Sequence, residues 1–166
     1  MRENLKKSNP EISLCVFVLR GESVRTPLGE LLVSTATGHG LTFLGEVVLS
    51  DDERAQIAST VRGGCWGESP ASSLAGLPSS VVLFEDRVSS GHVSEEISDN
   101  LFETALWRTI KEDARSKAVS LGLERADNNW VHSADDHRES LEALMCLQQD
   151  RWQHLVSHFA GLPTVQ

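Results

Sequence analysis

Cysteine, basic side chains and long apolar runs are all scarce in this chain, and each scarcity removes a class of protein. Only three of 166 residues are cysteine, and Cys15, Cys65 and Cys146 stand far apart with no C-x-x-C pair. They build no disulfide framework and read as free thiols of a reducing cytoplasm. Lys and Arg number 15 against 24 Asp and Glu, for a net charge of −9. That balance argues against direct nucleic-acid binding, which needs clustered basic residues on phosphates. The start Met1–Lys7 is polar, and the apolar run after it is too short for a signal peptide or a membrane span, so a soluble intracellular protein is expected. No phosphate-binding loop ending in Lys-Ser or Lys-Thr, dinucleotide fingerprint or His-Glu-x-x-His motif occurs, so no cofactor is implied.

What is present is the composition of one globular domain, 1–166, with 40% hydrophobic and 23% charged residues. At this length folding hides roughly 70% of the unfolded surface, enough for a core without staples. The stretch 62–80, rich in Gly, Ser and Pro, reads as a long surface loop, and 1–10 as a disordered arm. Ile12–Arg20 is apolar on both faces and reads as a central strand. Pro27-Leu28-Gly29 opens a second strand, Glu30–Thr35; the Gly38–Gly40 turn follows, and Leu41–Leu49 makes a third, completing an antiparallel meander. Ser50 and Glu53 form a capping box for a short helix to about Val61, stopped by Gly63-Gly64.

After the loop, Val81–Phe84 reads as a brief strand. Ser94 then caps a long helix running to Gly122, with Phe102, Leu106, Ile110, Ala114, Ala118 and Leu121 at helical spacing. A second long helix follows Ser133, with Asp136 three places on, and sets Leu141, Leu144, Met145, Gln148, Trp152, Leu155, Val156 and Phe159 on one stripe until Gly161 and Pro163. The order predicts an α+β fold, a mainly antiparallel sheet covered by one short and two long helices.

Thr26-Pro27-Leu28-Gly29-Glu30-Leu31-Leu32-Val33 followed by Gly40-Leu41-Thr42-Phe43-Leu44 resembles the N-terminal hairpin of methylated-DNA–protein cysteine methyltransferases. The resemblance covers about twenty residues of 166 and implies a hairpin there. That family's Pro-Cys-His-Arg motif does not occur in this chain, so its activity does not carry over.

Several groups of residues are candidates for chemistry. Asp150, His154 and His158 stand at i, i+4 and i+8, a spacing that two imidazoles and a carboxylate can use for zinc, although on the polar side of the last helix a solvated Asp–His pair is the plainer outcome. Trp130–His137 gathers His132, Asp135, Asp136 and His137 at the start of a helix, a mixture a hydrolase can use, whereas Ser133 with Asp136 as a cap, His137 near the core stripe and His132 in a loop explain it more simply. Cys65, in a Gly-rich loop, is a nucleophile only if a neighbour lowers its pKa. Charge is the more informative feature: residues 1–83 hold 7 basic and 9 acidic side chains, residues 84–166 hold 8 and 15. Glu95, Glu96, Asp99 and Glu103 follow one another with no basic residue between them, which makes either a solvated face or a docking surface for a basic partner. Trp66, Trp107 and Trp130, off the apolar lines, are candidate interface anchors, with Leu147 beside them. The expectation is a non-enzymatic regulator, inhibitor or adaptor that binds a protein partner through its helical half and forms a homodimer by its C-terminal helices. The alternative is a small enzyme using Cys65 or the C-terminal histidines.

Overall fold

The apolar run after Ile12 has no polar face to give to water, and it becomes an inner strand of the sheet. The computed structural model describes residues 12–20, 25–61, 78–89, 94–98, 101–122 and 131–157. In chain order these form β1 (Ser13–Arg20), α1 (Arg25–Gly38), β2 (Thr42–Val48), α2 (Asp51–Thr60), β3 (Pro78–Asp86), β4 (Ser94–Ser98), β5 (Leu101–Thr104), α3 (Ala105–Ser120), β6 (Val131–Ser133) and α4 (His137–Met145). A 3-10 turn (Gln149–Arg151) and α5 (Gln153–Val156) close the described chain. Every neighbouring pair in the four-stranded sheet β2-β3-β1-β6 is antiparallel, and β4 and β5 form a separate hairpin. The fold is therefore α+β. β1 and β2 run parallel with β3 inserted between them, the split β-α-β arrangement. All residues of β1 and β3 are buried, as two-sided cover requires. Among the described residues no helix is long and apolar enough to cross a membrane.

Four expectations fail, each for an identifiable reason. Glu30–Thr35 is not a strand, and the hairpin implied by the methyltransferase resemblance is absent: residues 25–38 are helix α1. Leu28, Leu32 and Ala36 fall four apart and are fully buried, while Pro27 sits in the first turn, where its missing N–H costs nothing. The helix ends in a Schellman pair, Leu41 N–H to Ala36 C=O at 3.1 Å and Gly40 N–H to Thr37 C=O at 3.0 Å, with Gly40 at φ +96°. The N-terminal meander is thus a β-α-β unit.

The long helix expected from Ser94 begins only at Ala105. Ser94–Ser98 pairs instead with Leu101–Thr104, and Asp99-Asn100, types that suit tight turns, stand between the strands in sequence. The second long helix is broken. Asp136, not Ser133, caps α4 by accepting from Glu139 N–H at 2.8 Å, and the helix stops at Met145. Leu147 and Trp152, five apart, would point about 140° apart on a continuous helix. The break lets both be buried, and Trp152 Nε1 donates to Leu147 C=O at 3.4 Å. Finally, Pro78, Ser79 and Ser80 belong to β3 and not to the loop, with Ser79 Oγ donating to Leu19 C=O at 3.0 Å. Residues 1–10 and 62–77 lie outside the described residues.

The capping box stands as expected: Glu53 N–H donates to Ser50 Oγ at 3.3 Å and Ser50 N–H to Glu53 Oε1 at 2.9 Å. Glu53 also receives the Arg151 guanidinium, which ties α2 to the C-terminal turn.

The two edges of the sheet are treated differently. β6 pairs only with Phe17–Leu19, and beyond it α4 side chains replace a strand. Leu14 N–H donates to His137 Nδ1 at 2.8 Å, Val16 N–H donates to Ser140 Oγ at 3.1 Å, and Ala134 N–H donates to Val16 C=O at 2.9 Å. A buried backbone donor left without a partner costs about 1–3 kcal/mol, so Ser140→Ala is expected to lower stability by that amount. Ser120→Ala, at an exposed site, should change it by less than about 0.5 kcal/mol. Urea unfolding of the two variants checks this, and equal effects would mean that Ser140 does not seal the edge. The other edge, β2, has no strand outside it among the described residues.

Candidate interaction site

Of the residues singled out from sequence, Glu103, Trp107, Leu147, His132 and Asp135 turn inward. Glu103, on β5, is 2% exposed: its Oε1 accepts from Ser133 Oγ at 2.7 Å and pairs with Lys111 Nζ. Trp107 is 0% exposed, and its Nε1 donates to Asp86 Oδ2 at 2.8 Å. A side chain enclosed by its own fold is not part of a docking face, so both leave the candidate surface. The apolar stripe of α3 runs through Ile110, Ala114 and Ala118 as expected, but Trp107 takes the buried place expected of Leu106, and Leu121 is exposed. Leu147 is likewise interior. Glu95 and Glu96 stand on β4, whereas Asp99, Trp66, Trp130, Cys65 and His158 lie outside the described residues. Asp150 and His154 are exposed but belong to separate helical segments, because the backbone at Trp152, φ −128°, parts the 3-10 turn from α5 and removes the continuous helix that put them in line. Among the described residues no group of three His, Cys, Asp or Glu is placed to hold a metal. Cys15 is buried, and burial first, then Asp86, pushes its thiol pKa up, which leaves it unreactive.

The polar residues that are buried fasten α3 to the end of the sheet. Asp86 Oδ1 accepts from Val88 and Ser89 N–H at 2.8 and 3.0 Å, while Oδ2 holds Trp107. Thr104 N–H and Oγ1 donate to Asp135 C=O at 2.7 and 2.9 Å, and Arg115 Nε donates to Val131 C=O at 2.7 Å. Burial lowers the Lys111 pKa, against the opposing pull of Glu103.

At the far end, Asp113 Oδ2 lies 3.2 Å from both His39 Nε2 and Lys117 Nζ, joining the end of α1 to α3. Hydrogen bonds from these two hold its carboxyl below the ordinary 3.8. A depressed carboxyl pKa contributes stability above the ordinary value and loses it as pH falls through the lowered one. Asp113→Asn is therefore expected to flatten the loss of Tm below about pH 4. Thermal melts across the acid range check it, and an unchanged acid limb would show that the pairing does not favour the folded state.

An open groove of about 530 Å³ lies between α1 and the edge strand β2. Gly29, Glu30 and Val33 line it from α1, and Phe43, Glu46 and Val48 from β2. The β2–β3 register slips between Phe43 and Gly45, a bulge that turns Phe43 to the same side as Glu46 and Val48. Phe43 and Val48 are 43% and 48% exposed, and the Phe43 ring tilts against Phe84 with centroids 5.8 Å apart. The helix packs closely on β2 at Gly29, where a Cβ would stand in ordinary contact, 3.5 Å, with the Glu46 carboxylate. On the opposite face Leu155 packs where a Gly45 Cβ would be, at 2.7 Å. The groove escapes sequence reading for two reasons. α1 carries strand-like residues, and a bulge breaks the period-2 pattern of β2. No protein-family model matches the chain, and no curated protein matches it.

Proposed function

We propose that this chain works by binding another protein, as a regulator, inhibitor or adaptor without catalysis or a cofactor of its own, and that the binding face is the α1–β2 groove. The observation that carries this reading is the asymmetry of the sheet. On one side His137 and Ser140 cover the half of β1 that short β6 leaves unpaired, whereas on the other β2 presents exposed apolar side chains beside an open groove. The setting that goes with it is cytoplasmic. The acidic helical half keeps a secondary part through Glu95 and Glu96 on β4.

The test is affinity capture from native extract with wild type, Phe43→Asp and the Glu95→Lys/Glu96→Lys pair, each checked by circular dichroism. Loss of the captured partner with Phe43→Asp is expected, and capture unchanged by that variant overturns the reading. Light scattering across concentration reports self-association in the same samples.

A second reading, a small enzyme, is favoured by one observation: Glu103, Lys111 and Ser133 meet in a buried cluster, with the Lys111 amine pKa lowered. Its test is an amine reagent at neutral pH. Lys111 reacting no faster than exposed Lys117 on the same helix would end it.

A further inference from the structure

We propose that His137 is a pH-sensitive latch: while its imidazole is neutral it holds the first turn of α4 against the outer edge of β1, and protonation of the ring releases that turn. The inference is independent of the groove and concerns the opposite side of the sheet.

The direction of one hydrogen bond carries it. Leu14 N–H stands 2.8 Å from His137 Nδ1, and a backbone amide can only donate. Nδ1 is therefore the acceptor, so the ring is neutral and carries its proton on Nε2. A second proton has only Nδ1 to go to, and there it sets two donors against each other. The neighbouring tie, Val16 N–H to Ser140 Oγ at 3.1 Å, has no such dependence, because a hydroxyl accepts whatever the pH in this range.

The position gives the bond its consequence. β6 pairs only with Phe17–Leu19, so among the described residues α4 is what covers β1 from Leu14 to Val16. Leu14 is fully buried, and an amide that loses its acceptor there regains one only if the turn moves and admits water. His137 itself is half-buried, within reach of solvent. An imidazole ordinarily takes up its second proton near pH 6.5, in about the range where the latch would work.

The charged groups around the ring do not replace the lost bond. On its own segment Asp136 Oδ1 accepts from Glu139 N–H at 2.8 Å, and Arg138 pairs outward with Glu142. Asp135 is close enough to Lys111 on α3 to act on its charge. β1 brings no charge at Leu14; across it on β3 stands Glu85, which pairs with Arg87. β6 brings His132, opposite Val18. α2 meets α4 at its far end, where Cys146 Sγ lies 3.3 Å from Thr60 Oγ1.

The test is amide hydrogen exchange of the full 15N-labelled chain from about pH 7.5 to 5, with each rate divided by its intrinsic value and the His137 ring titrated by NMR in parallel. That window lies above the carboxylate range in which Asp113 acts. Protection at Leu14 is expected to fall with the ring's titration, by up to about tenfold per pH unit, the most that one proton can produce. Cys15, whose amide alternation turns toward β3, is the control and should hold its protection. His137→Asn places an amide oxygen where Nδ1 stands along the side chain and cannot be protonated in this range, so it should keep Leu14 protected throughout. His137→Phe, which has no acceptor, should leave Leu14 poorly protected at every pH.

Leu14 protection that stays level through the ring titration overturns the proposal. So does a fall shared equally by Cys15, which would be loss of the whole fold, or a pH dependence that survives in His137→Asn. Should either variant fail to fold, the comparison of Leu14 with Cys15 in the wild type decides alone.

Discussion

Replacing Lys111 with methionine is expected to destabilise the fold by about 3–5 kcal/mol, because it strands the buried carboxylate of Glu103. The Lys111–Glu103 pair lies inside, with Ser133 as a third member. Bringing both charges out of water costs nearly as much as their attraction returns, so the pair adds little net stability while intact. The loss comes from removing one member. Glu103→Gln/Lys111→Met should therefore recover most of it, since the amide oxygen still accepts from Ser133 and no charge is left unpaired. Urea unfolding at neutral pH measures all three variants, with Arg138→Ala as a control. Arg138 pairs with Glu142 at 3.3 Å on an exposed helix face, and its loss should cost less than about 1 kcal/mol. If Lys111→Met costs no more than Arg138→Ala, the pair is solvated in the folded protein.

Glu103 also shows where sequence reading ends. It was the fourth acid in a run that local spacing places on a helix surface, and its actual partners are eight and thirty residues further on. Only tertiary contact explains its burial. Local sequence does specify the two-sided apolar run of β1, the Ser50–Glu53 capping box, and strands near Leu41–Leu49 and Val81–Phe84. Each is specified within a few residues.

Helix α1 fails locally because Leu31, Leu32, Val33 and Thr35 are acceptable in a strand. Within the helix, Thr35 and Thr37 direct their hydroxyls to the carbonyls four residues back, at 2.8 and 2.7 Å, which satisfies them without a partner from another element. The candidate site inherits both problems. One wall is the misread helix, and the other depends on a bulge with no sequence signature of its own.

Trp107→Ala is the second change with a large expected effect, about 3–5 kcal/mol, the range for deleting a buried aromatic that leaves a cavity. The side chain is fully enclosed and does two things at once. Its ring fills the interface between α3 and the sheet, and its Nε1 steadies Asp86, whose other carboxylate oxygen holds the Val88 and Ser89 amides. Trp107→Phe separates the two, keeping most of the apolar surface while removing the donor. It should cost about 1–3 kcal/mol, the range for leaving a buried polar group short of a partner. Near-equal losses in the two variants would assign the whole effect to the hydrogen bond.

The same pair of variants also separates stability from recognition. Trp107 lines no part of the α1–β2 groove, whose walls are built from Gly29, Glu30, Val33, Phe43, Glu46 and Val48. Well below its lowered Tm, Trp107→Phe should retain wild-type capture of the partner while Phe43→Asp loses it. The opposite pattern, with affinity falling in step with stability and regardless of position, would place binding in a locally unfolded form and not on the folded edge of the sheet.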